Sequence, residues 1–270
     1  MKSGMDKKNE VDWWKLIRND ELATALDIFP NEKNLEVLEL GGRDGFQAEL
    51  ISKKGYKVTS IDINPLSPQF HLVQKGDVTK LNFNEGSFDI IFSSNMIQEI
   101  ENIEDAFAEM NRVLKKDGLV IHIVPSGWWS LITNFWHYCL IPKYLARSNK
   151  FQQFFNSDVN KENTNSESSK KNLKRLFFHP LGVNTSFVHE IFHFSEINWI
   201  KLFKQNGFQI VGKKNCPYFY SAYSVFRFKF LGLRKFFANI GFPSCYCFIM
   251  KRDIDSVSYT HLTLPTICSV

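Results

Sequence analysis

The sequence predicts an α/β fold: a doubly wound, mostly parallel sheet with helices on both faces and a helical, aromatic-rich insertion. Three observations predict it. Short apolar runs alternate with segments of helical period between residues 36 and 124, the pattern of repeated βα units. A glycine-rich turn, ELGGRDG over residues 39–45, lies between the first strand and the helix after it. Polar and acidic residues (Asp62, Asp77 and the segment 93–95) fall at or just past strand ends, where open parallel sheets bind ligands.

In chain order, residues 11–29 place Trp14, Ile17, Leu22, Leu26 and Ile28 at helical spacing and predict one or two helices ahead of the sheet. Residues 36–40 form a first strand, and residues 46–54 a helix ended by Gly55. Residues 57–61 form a second strand with Asp62 at its C-terminal edge, and residues 70–73 a third. The run FDIIFS, residues 88–93, is continuously apolar at its centre, as a strand covered on both faces must be. Residues 103–114 form a helix with Ala106, Phe107, Met110 and Val113 on one side. Asp117 and Gly118 turn the chain into a strand over 119–124.

Residues 128–145 are aromatic and nearly uncharged, and residues 151–174 include the polar run NSDVNKENTNSESSKK, which predicts a mobile loop. SEINWIKLFKQ, residues 195–205, predicts a helix with Ser195 as N-cap and Gly207 as its end. A strand over 208–212, an aromatic and basic stretch over 218–240 and a closing strand over 245–250 follow. The chain therefore divides into a helical cap (1–35), a ligand-binding core (36–125), an insertion or substrate cap (126–194), a segment completing the sheet (195–255) and a tail (256–270). VSYTHLTLPT in that tail looks like a translated sequencing-library adapter, so the natural chain is expected to end, or to be truncated, near Asp255.

The chain has 270 residues, enough for a sizeable core in one or two domains. A net charge of +5 is too mild to call for nucleic acid, and no RNA-binding module is evident. The five cysteines form no CxxC pair, which argues against a disulfide scaffold or zinc knuckle and for a reducing compartment. The N-terminus lacks a signal-peptide core and no run of about 18 apolar residues occurs, so a cytoplasmic protein without a membrane span is expected.

The glycine turn excludes two nucleotide folds. A GxGxxG fingerprint from Gly41 would need glycine at 43 and 46, where Arg43 and Phe46 stand, and no Tyr-x-x-x-Lys pair supports a nicotinamide oxidoreductase. No GK[ST] ending supports a phosphate-binding ATPase loop.

Residues 37–124 resemble the class I S-adenosylmethionine-dependent methyltransferases. Glu39, Gly41 and Gly45 match their first motif, with Gly42 in the same loop and Arg43 where the family commonly has its central glycine. Asp62, followed by Ile63, matches the acid expected at the ribose hydroxyls; a carboxylate only accepts hydrogen bonds and suits a diol. Gly76 and Asp77, with Val78 next, match the position whose acid meets the adenine amine. FDIIFSSNMIQEI matches the fourth-strand motif, whose loop includes Ser94, and MNRVLKKDGLVIHIV matches the helix and strand that follow. Many relatives have histidine where Glu99 stands. Residues 179–211 look like the C-terminal part of bacterial members linked to polysaccharide or other envelope-related pathways.

The resemblance implies a seven-stranded Rossmann-like sheet, S-adenosyl-L-methionine as cofactor, and in-line methyl transfer to a small-molecule, saccharide or lipid-linked acceptor. The alternative is a non-catalytic protein of the same fold that binds partners. Arg43 points to that alternative, and Asp62 and Asp77 point away from it.

A hydroxyl acceptor usually needs a base, and His179, His189 and Glu190 are the candidates, with His193 one helical turn from His189. HEIFH matches the HExxH order, but no third ligand follows at the required spacing, so no metal is expected. Histidines packed beside a helix start are the plainer reading. The aromatic stretches over 128–145 and 226–236, with interleaved Lys and Arg, fit either peripheral contact with an anionic membrane at its inner face or a substrate cap or dimer face. Oligomeric state is left open.

Overall fold

The computed structural model describes residues 4–147, 187–223 and 225–253, with side chains over 11–140, 189–223 and 225–253. His179, the polar run and the adapter-like tail lie outside the described residues.

A single seven-stranded sheet organises the chain: β1 (Glu36–Leu40), β2 (Lys57–Asp62), β3 (Val73–Lys75), β4 (Phe88–Ser94), β5 (Leu114–Pro125), β6 (Phe208–Asn215) and β7 (Cys245–Arg252). Its order is β3-β2-β1-β4-β5-β7-β6. The first five strands pair in parallel, and β7 inserts antiparallel between β5 and β6. This is the doubly wound Rossmann-like sheet typical of class I methyltransferases. Strands β1 and β4 are buried along nearly their whole length, which explains their unbroken apolar centres.

The helices are α1 (Gly4–Leu26), α2 (Phe46–Ser52), α3 (Ile103–Val113), α4 (Gly127–Arg147), α5 (Phe187–His193), α6 (Glu196–Gln205) and α7 (Leu231–Asn239). In α3 the predicted stripe of Ala106, Phe107, Met110 and Val113 is buried. Acids in its first turn and Arg112 in its last suit the helix dipole. Arg112 also donates to the carbonyls of Leu81 and Phe83, bracing the loop before β4. Ser195 caps α6 by accepting from Asn198 N. Phe194, Trp199 and Phe203 stack in series beneath the sheet, and Trp199 Nε1 donates to Pro125 O at 2.9 Å.

Several boundaries differ from the sequence reading: the first helix ends at Leu26, α2 at Ser52, and β6 and β7 run on to Asn215 and Arg252. Two of the differences bear on the site. The third strand starts at Val73, at the end of the predicted 70–73 run, because Leu66 N and Phe70 N donate to Arg43 O and Asp44 O on the glycine loop. Those amides hold the preceding residues over that loop and away from the β2 edge. The helix over 103–114 ends at Val113, and Leu114 already pairs with Phe88 in the sheet. The register then jumps to Ile90 opposite Leu119, so residues 115–118, which hold the predicted Asp117–Gly118 turn, bulge out of the ladder. The stretch 128–145 is helical, forming most of α4.

Phe203 is fully buried between Phe107, Trp199 and Phe248. Phe203→Ala is expected to cost about 3–5 kcal/mol. In urea unfolding the midpoint should fall with little change in slope.

Candidate functional site

The C-terminal ends of β1, β2 and β4 open into a cavity of about 710 Å³. Three walls enclose it. The sheet wall is residues 41–44, Asp62 and residues 94–96; the second wall is Val11, Trp14, Lys15 and Arg18 of α1; the third is Gln98, Glu99, Trp129 and Tyr220.

The glycine loop is built from the strand below it. Gly41 N and Gly42 N both donate to Ile61 O of β2, at 2.9 and 3.1 Å. A Cβ on Gly42 would stand 1.9 Å from Ser60 Oγ and 2.7 Å from Glu39 Oε2, so no side chain fits there. Arg43 adopts φ +49°, a left-handed backbone that L side chains rarely take, which accounts for a glycine being usual at this position. Its amide donates to Asp62 Oδ2 at 2.9 Å, while Asn64 N donates to Asp62 Oδ1 at 2.7 Å. Both carboxylate oxygens are thereby oriented at the cavity wall, with acceptor capacity to spare. Gly45, at φ +74°, lies so close to the His71 backbone that a Cβ would come within 2.4 Å of His71 O.

Glu39 lies beneath this loop, 2 % exposed, and accepts from Ser60 Oγ at 2.5 Å. Burial pushes its carboxyl up to about 7, against the Ser60 hydrogen bond that favours the charge. It supports the loop and does not line the cavity.

The α1 wall is fastened from far along the chain. Tyr218 OH donates to Asp20 and Tyr220 OH to Glu21, each at 2.6 Å, and Glu21 pairs with Arg18 at 2.5 Å. Gln47 Nε2 donates to Arg18 O, tying α2 to the same helix. Lys15 Nζ stands 4.8 Å from the centre of the Phe70 ring. Glu99, an exposed residue of the lining, still has its carboxyl pushed up by partial burial, with Arg43 opposing and Asp62 adding to the shift. Sequence reasoning missed the α1 wall and Tyr220 as site residues. The four-residue spacing of Trp14 and Arg18 carried a signal for the former; nothing local marked Tyr220.

Of the residues the sequence singled out, the cavity gathers Gly41, Gly42, Arg43, Asp62, Ser94 and Glu99. The others lie elsewhere. Gly45 faces His71, and Ile63 is exposed. Gly76 N donates to Asp62 O at 2.9 Å, which puts Asp77 beside the same strand ends. The Asp77 carboxylate accepts from Thr79 N and Oγ1, and these bonds hold its pKa below the usual range. Val78 packs half-buried on the core. His189 is exposed and stacks on His193 with ring centres 5.6 Å apart. Glu190 turns inward and accepts from Ser130 Oγ at 2.7 Å, joining α5 to α4. Thus Glu190 of the HExxH stretch is buried while its two histidines are exposed. Among the described residues no three His, Cys, Asp or Glu side chains gather as a metal site.

Residues 38–122 match the family model described as a methyltransferase domain. Three solved structures are similar to the chain. A chain of the complex between the Haloferax volcanii Trm112 methyltransferase activator and a protein assigned as a methyltransferase is 14 % identical, with 93 % of this chain and 94 % of that one covered and a TM-score of 0.52. A protein from Listeria monocytogenes, assigned as an S-adenosylmethionine-dependent methyltransferase, is 14 % identical over 87 % of this chain and 97 % of that one, with a TM-score of 0.51. An S-adenosylmethionine-dependent methyltransferase from Mesorhizobium loti is 12 % identical over 86 % and 98 %, with a TM-score of 0.50. No curated protein sequence matches the chain. Residues 38–122 thus carry a methyltransferase-like domain, within a sheet of the class I methyltransferase type.

Because the Glu39 carboxyl rises from 4.5 to about 7 on folding, the folded chain holds a proton that the unfolded chain releases in that window. Stability from this group is present below pH 4.5 and is lost as pH climbs to about 7. Relative to Glu39→Gln, which keeps an acceptor for Ser60, the unsubstituted chain should lose about 3 kcal/mol across the window. Chemical denaturation of both proteins along a pH series checks this.

Proposed function

We propose that the chain is an S-adenosylmethionine-dependent methyltransferase that acts by in-line transfer on a small-molecule, saccharide or lipid-linked acceptor. The observation that carries the reading is the placement of Asp62. Two backbone amides hold its carboxylate at the wall of a cavity that α1, Glu99 and Tyr220 also line. The residues fit the donor: Asp62 supplies acceptors for a ribose diol, Gly41 and Gly42 leave backbone uncovered, and about 710 Å³ is ample for a nucleoside. When bound, the donor supplies a sulfonium methyl that is already electrophilic.

The protein's own part is to hold the partners in line and keep water out. Asp62, with Asp77 near it at the edge of β2, holds the nucleoside end. Trp14, Trp129 and Tyr220 wall off the acceptor side. Glu99 is the base at this wall for an acceptor that must lose a proton, and the upward shift of its carboxyl makes it a stronger base than an ordinary glutamate. His179 is the candidate base from outside the described residues. His189 and Glu190 do not line the cavity, and Glu190 serves as a brace between α5 and α4. A non-catalytic binding role draws support from Arg43 in place of glycine, and turnover separates the two readings.

Isothermal titration with S-adenosylmethionine, its demethylated product and NAD tests the donor. Binding of the first two and not the third is expected, and absence of affinity for both sulfur ligands overturns the proposal. Asp62→Ala should weaken the product's Kd at least tenfold, about 1.4 kcal/mol. On an acceptor that is turned over, activity should rise with pH as Glu99 loses its proton. Glu99→Gln should flatten that rise while leaving donor affinity intact; His179→Ala should do so instead if that histidine is the base.

A further inference from the structure

Helices α4 and α7 are built inside out. A helix on a water-washed surface turns its apolar side chains inward. In α7 the inward residues are Arg234 and Ala238, while Leu233, Phe236 and Phe237 face outward at 54 %, 55 % and 37 % exposure. Arg234 is spent inside, donating to the carbonyls of Phe219 and Arg227 and covering the Trp13 ring. In α4 the polar Ser130, Thr133 and Asn134 are buried, and Trp128, Leu131, Phe135 and Tyr138 are exposed along two to three turns of one side.

The two inverted faces join. Trp128 meets Phe242 at 4.5 Å between ring centres, and Phe242 in turn meets Phe237 of α7. Two turns further along α4, Phe135 meets Trp136, Trp136 meets Phe226, and Phe226 meets Phe230 at the start of α7. The result is one continuous aromatic surface spanning two helices. Such a surface on a folded chain marks a partner that is itself apolar.

Charge decides which partner. Neither residues 118–157 nor residues 206–252 contain an Asp or Glu. Lys229 is exposed between Phe228 and Phe230, while the Lys235 ammonium stands 5.1 Å from the centre of the Tyr218 ring. Glu196 borders Trp128 and Leu131, but its carboxylate is paired with Lys213 at 2.7 Å. Trp and Tyr with cations, on helices that carry no carboxylate of their own, complement an anionic bilayer surface, where amphipathic rings settle at headgroup depth. Among the described residues no helix is long and apolar enough to cross a membrane, so this mode of contact lies on the bilayer plane. We infer that the joined faces of α4 and α7 dock the protein onto an anionic lipid surface. Trp129 lines the cavity while its neighbour Trp128 lies on the docking face, so the docked protein holds its cavity close to the headgroups.

The test uses the full chain and needs no cofactor, so it is independent of the methyl-transfer reading. Sedimentation with phosphatidylcholine vesicles, with and without phosphatidylglycerol, should show binding to the anionic vesicles only, weakening as salt is raised. Leu233→Ser combined with Phe236→Ser should abolish it. Lys229→Gln, at an exposed position, should weaken it about fivefold, which keeps the inference testable if the serine variant does not fold. No binding to either vesicle, or equal binding to both, overturns the inference. So does conversion of a dimer to a monomer by the serine pair without any vesicle binding, since the face would then be covered by a second copy.

Discussion

The site depends on how the ends of β1 and β2 are locked to each other. Ile61 O receives two amides from the loop after β1, and the Asp62 carboxylate receives a third from the same loop and a fourth from Asn64. These bonds convert the ends of two neighbouring strands into one rigid platform. They are possible only because nothing projects from Gly42 into the Glu39–Ser60 pair below. A carboxyl buried at that point is costly when charged, which is why its pKa rises. The same burial keeps the support dry, so the loop above it has little freedom to sag.

Much of the sheet was legible because parallel strands covered on both faces leave a plain record in sequence. FDIIFS and NLEVL can hardly be anything else once a helix-period segment follows each. The misplaced third strand shows the limit. Residues 70–72 carry strand-like side chains, but the glycine loop claims their backbone from across the sheet, and no local pattern reports that competition. The cavity was half legible. Its strand-end residues were named from motif and position, whereas Trp14, Arg18 and Tyr220 meet only after the chain has folded.

The same division explains α4. Its aromatic composition was visible, but which side of the helix carried the rings was not. A string of letters shows that Trp128, Phe135 and Ser130 are near one another, and contacts such as Ser130 with Glu190 and Thr133 with Ala222 fix which of them faces out. Glu190, which sequence alone could cast as a catalytic acid or base, is one of the groups that set that orientation.

The fastening of α1 has a consequence for how the protein comes into being. Asp20 and Glu21 are gripped by Tyr218 and Tyr220, partners separated from them by 198 and 199 positions. On the ribosome the first helix therefore emerges long before its clasp exists, and contacts of such sequence separation are slow to close. The nucleotide platform can assemble early from neighbouring units. The chamber above it stays open on one side until residues 218–220 have been made and have reached α1, so its enclosure lags well behind its floor.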